Sequence, residues 1–339
     1  MLLKIVTALN VSLVILAFGA QANEMHHDHH AEHQHTVSEP IGVMAAHTHE
    51  QGKWMTSYRY SSMYMEGNRN GTSDVSTAQV HNDFMVAPTK MRMQMHMFGL
   101  MYGVTNDLTL MAMAPYTIKE MDHRTRMGVN FTTKSEGVGD VKLQGIYRLD
   151  QQKDRELLVN AGVSLPTGSI GEKDATPMGP NQQLPYAMQL GSGTWDPIVG
   201  ATYKGHHGKW GYGVQAGALI RLGKNDRGYR LGNEYHATTW VSRQLNDTIT
   251  SSFRLDAKEW GDVDGADTAL NPAMVPTART DLRGGRRVDA LLGMNIDIPG
   301  DTLDGSEVAL EVGLPIYQHL DGPQLETDSR VMLGIKLRF

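Results

Sequence analysis

Two residue types that bind soft metals are crowded into the first third of the chain. Thirteen of its 21 methionines lie between Met55 and Met127, and eight of its 15 histidines lie between His26 and His49. His26, His27, His29, His30, His33 and His35 are interleaved with Asp28, Glu32 and Gln34, and His47 and His49 follow. Thioethers are soft donors that favour Cu(I) and Ag(I), whereas dense neutral imidazoles bind Cu(II), Zn(II) or Ni(II). The histidine spacing gives no fixed tetrahedral set, so loose and fluxional binding is expected there. Copper fits both donor types because it cycles between the borderline and the soft state. It would be a ligand or cargo, with a periplasmic metal-handling partner, and no cofactor is obligatory.

The methionines can act together only if a regular element aligns them. Alternate residues of a strand share a face, so Met91, Met93, Met95, Met97 and Met101 can form one ladder. If the turn at 103–107 pairs Tyr102 with Leu108, Met97 and Met101 share the side of Met111 and Met113. Met55 and Met63, beside Arg59, would face the same way, toward a lumen. For Met91 to Met95 parity leaves both faces open, because Arg92, Gln94 and His96 on the opposite face also read as luminal. A β-bulge near Phe98-Gly99 would reconcile the two halves.

The last ten residues show what the elements are. Val331, Leu333, Ile335, Leu337 and Phe339 alternate with Arg330, Met332, Gly334, Lys336 and Arg338. An apolar side opposite a polar one, ending on an aromatic residue, is the pattern of a barrel-closing strand in the bacterial outer membrane. The same alternation recurs at 308–314, 288–296, 253–257, 210–220, 157–165 and 141–149. The reading is all-β: a transmembrane antiparallel β-barrel of about twelve strands, with ten to fourteen allowed. The strands fall near 53–65, 83–102, 108–119, 138–149, 155–165, 194–204, 209–222, 233–245, 248–258, 286–297, 306–314 and 329–339. Trp54, Tyr58, Tyr102, Tyr116, Tyr147, Trp195, Tyr203, Trp210 and Trp240 would supply the interfacial girdles.

The other end of the chain agrees. Lys4, the apolar run from Ile5 to Phe18 and Ala20-Gln21-Ala22 read as a signal peptide over 1–22. Residues 23–52 have no apolar periodicity and are expected to form a disordered, His-rich periplasmic tail, with the barrel at 53–339. Short turns and long loops alternate, and an even strand count places both termini in the periplasm. There are no cysteines, which excludes disulfides, zinc-thiolate sites and a thiol nucleophile. A net charge of −6 and no basic stripe argue against nucleic acid. No Gly-x-Ser-x-Gly elbow or paired catalytic set occurs, so an enzyme is not expected. The expected partners are outer-membrane lipid and, through Phe339, the barrel-assembly machinery, with the protein itself a monomer.

Gly137-Val138-Gly139-Asp140, Leu165-Pro166-Thr167-Gly168, Gly191-Ser192-Gly193 with Asp196-Pro197 and Gly200, and the turn Gly103-Val104-Thr105-Asn106-Asp107 punctuate the middle of the chain. In these motifs the sequence resembles the outer-membrane transporter family of the meta-pathway of phenol degradation, over roughly 85–339. That resemblance implies a barrel-shaped channel; its motifs are specific for fold and weak for substrate. The function expected from the residues is an outer-membrane channel handling soft transition-metal ions, copper favoured. The alternatives are a channel for small hydrophobic or aromatic compounds and a non-transporting, metal-sequestering surface protein.

Overall fold

The computed structural model describes residues 37–299 and 305–339. The signal segment 1–22 and the histidines from His26 to His35 lie outside the described residues. The strands are β1 (Trp54–Gly71), β2 (Ser73–Val75), β3 (Val86–Gly103), β4 (Leu108–Thr125), β5 (Asn130–Val138), β6 (Lys142–Gln152), β7 (Arg155–Ser164), β8 (Lys173–Thr176) and β9 (Gly179–Gln183). They continue with β10 (Asp196–His207), β11 (Trp210–Leu219), β12 (Tyr229–Arg230), β13 (Glu234–Gln244), β14 (Ile249–Trp260), β15 (Asp264–Gly265), β16 (Gly285–Asp297) and β17 (Glu307–Arg338). Helix α1 (Thr77–Asp83) is started by a capping box in which Ser76 and Gln79 satisfy each other's backbone N–H groups.

The sheet runs β17-β16-β14-β13-β11-β10-β7-β6-β4-β3-β1, every pair antiparallel, and closes through β17 on β1. β17 is a single segment that must reverse within itself. Its first half pairs with β16 up to Leu320, and its second half pairs with β1 from Leu320 to Arg338. Nine antiparallel steps separate β1 from β16, so those two strands run oppositely and the halves of β17 do too. Gln318 and Thr327 mark the reversal, each accepting a hydrogen bond from the other at 2.9 Å. Eleven paired segments thus make twelve staves, as the sequence pattern anticipates. The ring is locked where Trp54 and Phe339 exchange backbone hydrogen bonds of 2.9 and 3.0 Å.

Polarity is inverted relative to a soluble protein. Phe253, Leu292 and Val312 lie side by side on adjacent strands and face outward, with Leu292 63% exposed. One residue along each strand, Arg254, Leu291 and Glu311 point inward and are buried. Apolar groups outside and ion pairs inside suit a hydrocarbon solvent around a polar lumen. Among the described residues no helix is long and apolar enough to cross a membrane. Trp54 and Tyr102, 4.5 Å apart between ring centroids, belong to a girdle at the short-turn end. Trp240 does not: it is buried and points inward, because its neighbours on β13, Thr239 and Val241, take the outer face. Replacing Phe339 by Asp puts a carboxylate on the lipid side of the closing pair. The fraction of chain recovered as heat-modifiable barrel in the outer membrane should fall; an unchanged yield would contradict this role.

The structure changes three expectations. β1 and β4 run to 71 and 125, beyond the expected 65 and 119, because β1 stays paired with β17 and β4 with β3 and β5 past the apolar belt. The long connections carry β5, β8, β9, β12 and β15 of their own. Most consequentially, the segment from Val37 to Gly52 is not a free tail. It enters the barrel, and Ile41, Val43, Ala45 and Ala46 are buried there.

Candidate functional site

The lumen has two unlike walls. β1, β3 and β4 carry the methionines, and their register runs unbroken from Lys90 to Gly103 with no bulge at Phe98-Gly99. Met91, Met93, Met95, Met97 and Met101 therefore share one face throughout, the face of Met55, Met63 and Met65 on β1. Met111 and Met113 join it, since Met101 pairs with Met111 and Tyr102 with Leu110, two residues beyond the expected partner. Rows of thioethers cross the strands, Met55–Met101–Met111 near the short turns and Met65–Met91–Met121 near the long loops. The end rows are buried except for the half-buried Met65, and Met93, Met95 and Met97 between them are half-buried, which places the ladder in the lumen.

Arg92, Gln94 and His96 consequently face outward. Gln94 and His96 look luminal in sequence because their partners lie on another strand: Gln94 donates to the Tyr60 hydroxyl at 2.6 Å, and Tyr58 meets His96 at 2.8 Å. Lipid offers no hydrogen bonds, so polar groups on this face satisfy one another.

The opposite wall, β10 to β17, is ionic. Arg254 grips Glu311 through Nε at 3.0 Å and Nη2 at 2.5 Å, and also meets Asp256 at 3.1 Å. Arg330 bridges Asp256 at 2.9 Å and Asp289, and Lys336 pairs with Glu307. Arg221 holds the buried Asp196 at 2.5 Å and Glu234 at 2.9 Å.

Between these walls lies the plug, 37–50, touching or packing with every stave. Val37 stands against Gly211, Glu39 pairs with Lys204, and its carbonyl accepts from Asn295 at 3.0 Å. Ile41 fills the space beside Gly334 and Arg59 that a side chain at 334 would need. Gly42 lies on the Arg254–Glu311 pair, where a Cβ would come within 2.2 Å of the guanidinium. Val43 and Ala46 pack on Trp240, and Gln215 donates to the Met44 carbonyl at 2.7 Å. Ala45 shares one buried cluster with Met55, Met101, Met111, Met113, Ile146 and Leu158. Thr48 accepts from Arg148, and the Thr109 hydroxyl accepts the His49 N–H at 2.8 Å. Burial alone would raise the Glu39 carboxyl, but Lys204 and Lys336 outweigh it and hold the pKa below the usual value. Burial, together with Arg338 and Lys336, lowers His49 to about 4 and holds His47 well below its ordinary value. Both imidazoles are therefore neutral at neutral pH.

The long-loop end is closed differently. Leu184 and Met188 pack on Met91 and Met121, Lys119 donates to the Ala187 carbonyl at 2.9 Å, and Ser135 donates to that of Met188 at 2.6 Å. A cleft of about 270 Å³ opens at the rim beside Arg230, Asn233, Glu259 and Asp262, but none of the expected metal-binding residues lines it. Thus, of the expected residues, His47, His49 and the seven methionines from Met91 to Met113 all lie in the lumen, with Met101, Met111 and Met113 in the cluster beside the plug and Met91 in the one at the long-loop end. Gly42, Trp240 and the Arg254–Glu311 pair are the members that the sequence did not reveal. The apolar run Ile41 to Ala46 inside a polar tail was their one signal.

A family model described as "Putative MetA-pathway of phenol degradation" matches residues 78–274. The COG4313 outer membrane channel from Pseudomonas putida F1 has a similar fold, with a TM-score of 0.60 at 16% identity over 88% of this chain and 100% of that one. The translocator domain of the autotransporter NalP from Neisseria meningitidis aligns at a TM-score of 0.42, with 12% identity over 86% of this chain and 90% of that one. A Pseudomonas aeruginosa FadL homologue aligns at 0.41, with 8% identity over 85% of this chain and 90% of that one. At 16% identity the likeness to the COG4313 channel is one of fold. No curated protein sequence matches the chain.

Proposed function

Since the chain belongs to the MetA-pathway phenol-degradation family, its model covering more than half of the residues, we propose that it is an outer-membrane channel for small apolar and aromatic solutes. The observation that carries this reading is the methionine wall, which runs from the plug to the loop closure on one side of the lumen. Thioether side chains are flexible and polarisable and make favourable contacts with aromatic rings, so such a wall suits a phenolic ring. The ionic wall opposite would accommodate its hydroxyl. In this reading the short turns and both termini face the periplasm, with plug 37–50 at the periplasmic mouth.

Proteoliposomes containing the barrel should take up phenol faster than lipid alone. Replacing Met93, Met95 and Met97 together by Gln should lower that flux several-fold while leaving potassium conductance nearly unchanged. Phenol flux equal to that of protein-free vesicles would overturn the proposal.

One observation favours a second reading, the handling of soft metal ions: the plug carries His47 and His49 to the thioether wall. The family description concerns phenol degradation and names no metal, so this reading rests on the chain's own residues. Growth of a deletion strain on copper and on phenol separates the two. A barrel that binds copper but conducts nothing would instead be a sequestering protein.

A further inference from the structure

We propose that plug and wall together form a site for one soft monovalent metal ion, Cu(I) or Ag(I), held by the imidazoles of His47 and His49 and a thioether of the Met55–Met101–Met111 row. The two rings stand edge to face with centroids 5.1 Å apart. Nε2 of each is buried and has no hydrogen-bond partner. A buried imidazole nitrogen without a partner is costly, and two such nitrogens on neighbouring rings are candidate ligands for an electrophile.

The sulfur donors are placed by the same backbone. Ala45, two residues before His47, packs in the cluster that contains Met55, Met101, Met111 and Met113. The His49 N–H is tied at 2.8 Å to Thr109, which lies two residues before Met111 on the same face of β4. The histidines are thus fixed beside the thioether row by bonds independent of any metal.

The surroundings select the class of ion. Among the described residues no cluster of three or more His, Cys, Asp or Glu side chains could hold a metal, so the set is short of the hard and borderline donors that Zn(II) or Cu(II) prefer. Lys204, Lys336 and Arg338 lie close enough to act on both or one of the rings, which disfavours a doubly charged ion more than a singly charged one. Two nitrogens and a thioether around a monovalent d10 ion meet both conditions. The ion enters as Cu(I) or Ag(I), and no electron transfer is involved.

The site rests on the position of the plug and not on which solute the channel passes, so phenol flux and metal binding can fail separately. The test uses full-length, untagged protein in detergent, with His26, His27, His29, His30, His33 and His35 replaced by Ala to silence the tail. Silver(I) titration, and Cu(I) titration against a chromophoric chelator, should show one tight equivalent that Zn(II) does not displace. His47→Ala/His49→Ala should lose that equivalent, and Met55→Leu/Met101→Leu/Met111→Leu should weaken it, both variants remaining heat-modifiable. X-ray absorption at the metal edge of the parent protein should show nitrogen and sulfur neighbours. Retention of the equivalent in the double-histidine variant, or a metal shell without sulfur, would overturn the proposal.

Discussion

Removal of residues 37–50 is expected to raise single-channel conductance roughly several-fold while the barrel still folds. A twelve-stave barrel lies between the filled eight-stranded barrels and the open porins of sixteen strands. At the level of the plug, the space left over is taken by Ile41, Val43, Met44, Ala45 and Ala46. The barrel tolerates the loss because the charged and amide wall groups that hold the plug each have a second partner. Lys204 keeps Glu156 at 2.8 Å, Asn295 keeps Glu307 at 3.1 Å, and Gln215 keeps Thr202 at 2.8 Å. Arg148 keeps Gln151 at 2.8 Å. No charge is left orphaned, and water entering the lumen solvates the exposed methionines at modest cost. Planar-bilayer recordings decide the matter, and an unchanged conductance would mean that the plug does not close the path.

The second large effect is expected at Arg254. It is 2% exposed and Glu311 1% exposed, and two hydrogen bonds join them. Arg254→Met leaves Glu311 as a buried carboxylate without its cation, a defect that costs about 3–5 kcal/mol. Asp256 is harmed less, because Arg330 also holds it at 2.9 Å. Replacing both partners, as Arg254→Met with Glu311→Leu, removes the uncompensated charge and should recover most of the loss. The transition from folded to unfolded mobility under urea measures both variants. A single variant as stable as the parent would show that lumen water already solvates this pair. Because Gly42 lies on the guanidinium, the single variant should also loosen the plug, which couples barrel stability to closure.

The parity of the strands was legible because a membrane barrel imposes a strict period of two, with lipid on one side and a polar lumen on the other. That is why the apolar sets at 288–296, 308–314 and 331–339 face outward as read. Where outward residues are polar the rule fails: His96 and Gln94 gain their licence from Tyr58 and Tyr60 on β1, a pairing visible only once the register is known. Trp240 misled for the converse reason, since a large aromatic residue is read as girdle but here fills the lumen above Val43 and Ala46. The plug was hidden more deeply. A segment that is surrounded by walls buries residues in all directions, so Ile41 to Ala46 show neither the helical nor the strand period. The methionine site was half legible: the residue types were plain, but the shared face of Met91 to Met101 awaited an unbroken register.

Cysteine accessibility tests most directly whether the plug occupies the lumen. The chain contains no cysteine, so Ala46→Cys introduces a unique thiol at a position that is 1% exposed. A bulky membrane-impermeant maleimide should label it far more slowly in the folded protein than after denaturation, while Asn106→Cys in the 103–107 turn labels quickly in both. Labelling of Ala46→Cys in the folded barrel as fast as in the unfolded chain would place this segment outside the lumen and contradict the account.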